Sequence, residues 1–135
     1  MADESPGVRY PLVDHVIIAY ASVLGCSTEQ AWRDLRDSER VFAAVARPQF
    51  YAHYRGADVA LQAAAYIHGI AEGQAFIDGN KRTAEVAGLF FLHDNGYLLD
   101  GSVEDRFGDW ILDLSEGLTV EQFADLMRPW LVQIS

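Results

Sequence analysis

The stretch AEGQAFIDGNKRTA, residues 71–84, sets Lys81 and Arg82 at the expected start of a helix. A helix N-terminus carries roughly +0.5 of an elementary charge from its unpaired backbone N–H groups, so cations placed there are repelled unless an anion lies among them. Gly73 and Gly79 bracket the preceding loop and permit backbone angles that other residues resist, while Asp78 and Asn80 are favoured N-cap types. Free amides at the helix start, Lys81 as a point charge and Arg82 as a bidentate fork suit a di- or triphosphate. Asp78 is enough for a magnesium ion bridging the phosphates, because magnesium needs few protein carboxylates and fills its shell with water and phosphate oxygens. Phe76, in a loop that also carries Gln74 and Asp78, is expected to anchor it in the core. The competing reading is an ordinary turn and cap, with Lys81 and Arg82 solvated on the first turn; spacing alone leaves the two readings level.

Helical patterns on either side would position this loop. Leu12, Val16, Ile17, Tyr20 and Val23 form a stripe that Gly25 ends. Ser27 and Gln30 stand at capping-box spacing, and the periodic stretch behind them is expected to break at Pro48, giving two short helices or one broken. QFYAHYRG, residues 49–56, reads as a loop, with a short strand or hairpin as the alternative. From Ala57 to Glu72 the pattern is helical again, with Leu61, Ala64, Ala65 and His68 on one face and Gly73 as the stop. Ala84, Ala87, Gly88 and Phe91 predict a closely packed helix after the loop, ended by Asn95-Gly96. Ser102 is the expected N-cap of the next helix, which ends at Gly117; its carboxylates Glu104, Asp105, Asp109 and Asp113 face solvent, and Trp110, Ile111 and Leu114 are buried. Thr119 and Gln122 open the last helix, which runs toward Pro129. The expected fold is all-α, one compact domain over residues 1–135 with six or seven helices and the motif loop at 73–82.

Half of the 135 residues are apolar, enough for a genuine core. A net charge of -10 argues against broad electrostatic binding of nucleic acid or of an anionic membrane surface, so any basic site must be local. The single cysteine, Cys26, rules out an intramolecular disulfide, suits a reducing compartment and is expected to be buried or half-buried. The first ten residues, expected to be frayed, have neither a basic start nor an apolar run, and no segment reaches the ~20 apolar residues of a membrane span. A soluble cytoplasmic protein is expected.

FIDGNKRTA resembles the core of the Fic/Doc family motif, His-x-Phe-x-Asp-Gly-Asn-Lys/Gly-Arg. LRDSERVFAAVARPQF, ALQAAAYIHGIAEG, AGLFFLHDNGYLL and EGLTVEQFADLMRPWL also read like Doc-type (death-on-curing) toxins, so the resemblance covers roughly residues 33–131. It implies an all-helical bundle with the motif loop between two central helices. It further implies a nucleoside triphosphate, ATP foremost, bound with Mg2+, and transfer of part of it to a protein hydroxyl. Lysine at 81 favours the Doc branch, which transfers the terminal phosphate to an elongation factor of translation; the branch with glycine there moves an AMP group. By this resemblance Gly79, Asn80, Lys81 and Arg82 hold phosphates, and Asp78 serves the metal or the target hydroxyl. Glu85 stands where the AMP-transferring branch has a second arginine. A protein target and an antitoxin whose tail folds against the toxin are the implied partners.

One position departs from the motif: the catalytic histidine is Gln74. An amide does not titrate near neutrality, and loss of a general base costs ~10² to 10⁴ in rate. Three readings follow. The chain is an inactive or weakened toxin-like protein; or the site is repurposed for loss or transfer of a phosphate or nucleotidyl group on a small molecule in a biosynthetic pathway; or phosphoryl transfer continues slowly, since a loose transition state depends more on positioning and charge than on a base. Gln74, Asp78 and Lys81 are the candidate catalytic residues. Tyr51, Tyr54, Arg55 and His68 are candidates for a substrate pocket, and Phe50 belongs to the same aromatic group. His68 and Glu72 share metal-binding i, i+4 spacing without a third ligand, and His93 is expected on the surface.

Overall fold

Small residues decide how the central helices meet. Val59–Gly73 (α4) and Asn80–Asp94 (α5) face each other through Ala64, Ile67, Ala84, Ala87 and Gly88, all buried. A Cβ at position 88 would lie 2.4 Å from Ile67 Cγ1, closer than atoms can approach. On its other side α4 meets Ser38–Arg55 (α3) across Gly69, where a Cβ would lie 3.1 Å from the Ala44 backbone. Interhelical distance follows the side chains at the contact, so this alanine and glycine pattern brings three helices into a tight central layer.

The computed structural model describes residues 7–134, and among these it has seven α-helices. Val13–Leu24 (α1) packs on α5, and Thr28–Asp34 (α2) follows it. Glu104–Leu114 (α6) and Val120–Met127 (α7) cover α4 from the far side, burying Phe107, Trp110, Ile111 and Phe123. The all-α expectation holds, and the carboxylates of α6 are on its solvent side. Cys26 is half-buried. No helix among the described residues is long and apolar enough to cross a membrane. Residues 1–6, part of the segment expected to be frayed, lie outside the described residues.

Capping follows the expected chemistry at two helices: Ser27 Oγ accepts from Gln30 N, and Thr119 with Gln122 forms a reciprocal box. At three places the structure corrects the sequence reading. Pro48 does not break its helix: α3 runs as one piece to Arg55, and QFYAHYR, residues 49–55, forms its last two turns rather than a loop or strand, with Gly56 as the C-cap. Proline removes one backbone hydrogen bond and crowds the preceding turn, but Pro48 is buried and Ala44, one turn before it, is packed against Gly69. Helix packing thus outweighs the local preference. Ser102 is not the cap of α6; Asp100 Oδ1 accepts from Ser102 N and starts a 3-10 turn over Gly101–Val103 that leads into α6. A short antiparallel ribbon was also not expected: Tyr97–Leu99 (β1) pairs with Leu131–Gln133 (β2) in the register Tyr97↔Gln133 and Leu99↔Leu131. Three-residue strands fall below what alternation can reveal.

Candidate functional site

Helix α4 ends at Gly73, and the next residue, Gln74, takes the left-handed conformation at φ 53 and ψ 45. It is the sole non-glycine residue with positive φ among the described residues. A side chain there costs of order 1–3 kcal/mol, and glycine would avoid it. Arg40 Nη1 donates to the Gly73 carbonyl at 2.6 Å, satisfying one carbonyl of the last turn of α4.

From Ala75 to Gly79 the loop is held from two directions. The Ala75 carbonyl accepts from the amides of Arg36 and Asp37 at 2.9 and 3.3 Å, and Leu35 and Phe76 form an isolated antiparallel bridge. The Phe76 ring, 2% exposed, lies flat on Tyr20 of α1, with centroids 3.9 Å apart and planes 12° from parallel. Tyr20 is itself fixed, because its hydroxyl donates to Asp34 Oδ2 at 2.8 Å. Burial, then this bond, pushes the Tyr20 phenol up to about 12. The expectation that Phe76 anchors the loop is met through this stack.

Asn80 closes the loop on itself. Its Oδ1 accepts from Phe76 N at 3.1 Å and its Nδ2 donates to the Phe76 carbonyl at 2.9 Å. Both ends of the side chain are thus engaged in holding the loop, and Asn80 also carries a backbone N–H at the start of α5. The cap residue of α5 is Gly79 with φ 76, not Asp78 or Asn80 as their types suggested. Glycine is favoured at that position by the left-handed φ, and a Cβ would also push on Leu24 Cδ2 at 2.9 Å. Asp78 Oδ1 accepts from Gly79 N at 2.8 Å and the side chain is exposed. No side chain caps α5, and the first intrahelical bond of this turn runs from Thr83 N to the Gly79 carbonyl at 2.9 Å. The amides of Asn80, Lys81 and Arg82 precede it and have no acceptor within the helix.

One open pocket of about 320 Å³ is lined by Gln74, Ile77, Asp78, Gly79, Asn80, Lys81 and Arg82 together with Ala71. The structure thus brings Gln74, Asp78, Gly79, Asn80, Lys81 and Arg82 to one pocket, while Gly73 and Phe76 lie outside its lining. Lys81 Nζ is 4.0 Å from Glu72 Oε2, a half-exposed pair at the pocket rim. Glu85, one turn beyond Arg82, is half-buried, and burial together with the Glu104 carboxylate raises its pKa while Arg82 opposes the shift.

The candidates for a substrate pocket are elsewhere. Tyr51 is buried in the core under the Arg55 guanidinium, which ion-pairs with Glu121 of α7 at 2.7 Å. Tyr54 is 69% exposed and lines a separate open pocket with Tyr10, Phe50 and His53. His68 faces a groove between α3 and α4, on the other side of Glu72 from the motif loop. That groove holds Arg47, which spacing did not single out; it contacts α4 across 21 residues, beyond any local pattern. His93 is exposed. No group of three or more His, Cys, Asp or Glu residues capable of holding a metal occurs among the described residues. A magnesium ion would rely on Asp78 plus phosphate and water oxygens, a donor set that suits it.

The sequence profile of the Fic/DOC family matches residues 13–92. Over 78 residues the chain is 45% identical to a protein named Toxin Doc from Mycolicibacterium smegmatis (strain ATCC 700084 / mc(2)155), a stretch that makes up 56% of this chain and 60% of that relative. The match thus spans less than two thirds of the relative's length.

Proposed function

The chain belongs to the Fic/DOC family, and from that premise we propose that it binds a nucleoside triphosphate, ATP foremost, by its phosphates in the loop 73–82. The observation that carries this reading is the single pocket in which the unpaired amides at the start of α5, Lys81 and Arg82 converge. Asp78 would hold Mg2+ against those phosphates, and the ion would supply neutralisation of the charge on them. Transfer to a protein hydroxyl, the activity implied by the motif, is weakened by Gln74, which accepts no proton. The chain is then a Doc-like phosphate-binding protein of low transferase activity. A cytoplasmic setting and a protein antitoxin as partner belong to the same reading.

A second reading, a repurposed enzyme acting on a phosphorylated small molecule, is favoured by the backbone at Gln74. The left-handed conformation there is kept although glycine would relieve it, as strain is kept where it aims a side chain.

The experiment is incubation with Mg2+, each nucleoside triphosphate and a cell extract, following nucleotide turnover and protein labelling. Wild type is compared with Gln74→His and Lys81→Ala. Labelling by Gln74→His alone, abolished by adding Lys81→Ala, establishes a transferase silenced by glutamine. Absence of any nucleotide-dependent change in melting temperature in wild type and Gln74→His rejects the nucleotide reading.

A further inference from the structure

A groove of about 360 Å³ between α3 and α4 is lined by Arg40, Arg47, His68, Gly69, Glu72 and Gly73, besides two alanines. Arg47 is its distinctive feature. Its stem crosses Gly69, where a Cβ would lie 2.9 Å from Arg47 Cδ, so glycine makes the seat. Its guanidinium carbon is 5.7 Å from the centre of the Tyr51 ring, and Nη1 is 2.8 Å from His68 Nδ1. A guanidinium is always a donor, so Nδ1 accepts and the imidazole is neutral, with its own proton on Nε2. Arg40, by contrast, is occupied by the Gly73 carbonyl and by Asp37. Arg47 is in none of the ion pairs formed among the described residues. A seated guanidinium without an acid partner, in a chain of net charge -10, is a site prepared for an outside anion.

The groove adjoins the motif loop. Glu72 and Gly73 line the groove, Gln74 and Lys81 line the pocket of the loop, and the Glu72 to Lys81 pair is the partition between them. Glu72 is the one carboxylate among the groove's lining residues, and Lys81 offsets its charge.

Chemistry links the two. An alcohol acceptor must lose a proton, and Gln74 cannot take it. A carboxylate, or a phosphate monoester with second pKa near 6, presents an oxygen that is already deprotonated at neutral pH. We propose that the groove of Arg47 and His68 is the acceptor subsite for an anionic oxygen of a small molecule, a carboxylate or a phosphate monoester. This oxygen takes the terminal phosphoryl group of the nucleotide held by the motif loop. The inference rests on the nucleotide reading above. The acceptor oxygen attacks the terminal phosphorus and the new O–P bond forms. The bond from that phosphorus to the bridging oxygen breaks, and its electron pair leaves with the nucleoside diphosphate. No proton is removed from the acceptor, so no base is required. Arg47 binds the acceptor through two N–H groups and His68 through Nε2–H.

The test has two arms, run with inorganic phosphate and with succinate as probes. In the first, calorimetric titration of each probe compares wild type, Arg47→Ala, Arg47→Lys and Arg82→Ala. Succinate binding is expected to weaken at least about tenfold in Arg47→Ala, the loss of one charge-assisted hydrogen bond, to be partly kept in Arg47→Lys, and to be unaffected by Arg82→Ala; phosphate, which the motif loop also holds, is expected to lose one site in Arg47→Ala and the other in Arg82→Ala. In the second, release of nucleoside diphosphate is followed with each probe present, trapping acyl phosphate with hydroxylamine and assaying pyrophosphate. The expectation is probe-dependent release whose KM for the probe rises in Arg47→Ala and His68→Gln while ATP binding is unchanged. Succinate binding that follows Arg82 rather than Arg47, or phosphate binding with no site sensitive to Arg47→Ala, overturns the subsite. ATP binding without probe-dependent release of diphosphate overturns the transfer step alone. Failure of ATP to bind, with phosphate still held through Arg47, rejects the nucleotide reading and the transfer together and leaves an anion site.

Discussion

Tyr20 and Phe76 lie face to face with their ring centroids 3.9 Å apart, and this stack ties the motif loop to the first helix. Phe76→Ala is expected to destabilise the protein by about 3–5 kcal/mol, the cost of removing a buried aromatic ring. Chemical denaturation measures it. A loss below about 1 kcal/mol would mean that the loop stands without its anchor.

The Tyr20 phenol, pushed up to about 12, makes stability depend on alkaline pH. Its pKa is raised on folding, so the folded state prefers the protonated phenol. That contribution is complete below the ordinary value of 10.0 and is lost as pH rises toward 12. Thermal melting between pH 9 and 12 should show a decline that is smaller in Tyr20→Phe; equal declines in both would remove Tyr20 as the source.

Asn80→Ala removes both hydrogen bonds to the Phe76 backbone and leaves a part-buried amide and carbonyl without partners. A cost of about 1–3 kcal/mol follows. Asn80→Asp keeps the acceptor for Phe76 N and loses the donor, and should be intermediate. Nucleotide affinity, read by titration, should fall in the same order.

Gln74→Gly relieves the left-handed backbone and is expected to raise stability by up to about 1 kcal/mol, provided the gain exceeds the added freedom of the unfolded chain. Gln74→His should leave stability within about 0.5 kcal/mol, since both side chains meet the same backbone cost. Melting temperatures of the three proteins decide it. A glycine variant less stable than wild type would mean that the glutamine side chain makes a compensating contact.

His68 gives the opposite pH signature. Burial, and then Arg47, lower its pKa, so the folded state prefers the neutral ring. The stability this carries is present above the ordinary 6.5 and is lost as pH falls below it. The melting temperature of wild type should fall from pH 7.5 to 5 more steeply than that of His68→Gln. Parallel curves would show that the ring is not held neutral.

The sequence made the grouping of the loop residues readable because its signals are local. Gly79, Asn80, Lys81 and Arg82 are consecutive, and backbone geometry alone places them around one pocket. The small residues at Ala84, Ala87 and Gly88 likewise announced close packing, which Ile67 against Gly88 now makes specific. What eluded the sequence is set by distant packing. The last turns of α3 looked like a loop because Pro48 and an aromatic run interrupt the pattern, yet the contact of Ala44 with Gly69 keeps the helix whole. Arg47 gains its meaning only where α3 and α4 cross, and Tyr51 and Arg55 were grouped with the site because their stretch precedes the central helices and by family resemblance, while their partners here are the core and Glu121.

The amides of Arg36 and Asp37 donate to the Ala75 carbonyl, so the connection between α2 and α3 is fastened to the motif loop. These two hydrogens can exchange with deuterium only when the loop parts from that connection. Their exchange rate is therefore a clock for opening of the motif-loop pocket, carried by residues that do not line it. A bound anion that holds the loop closed slows that clock, which makes occupancy readable from the far side of the loop without touching the pocket itself.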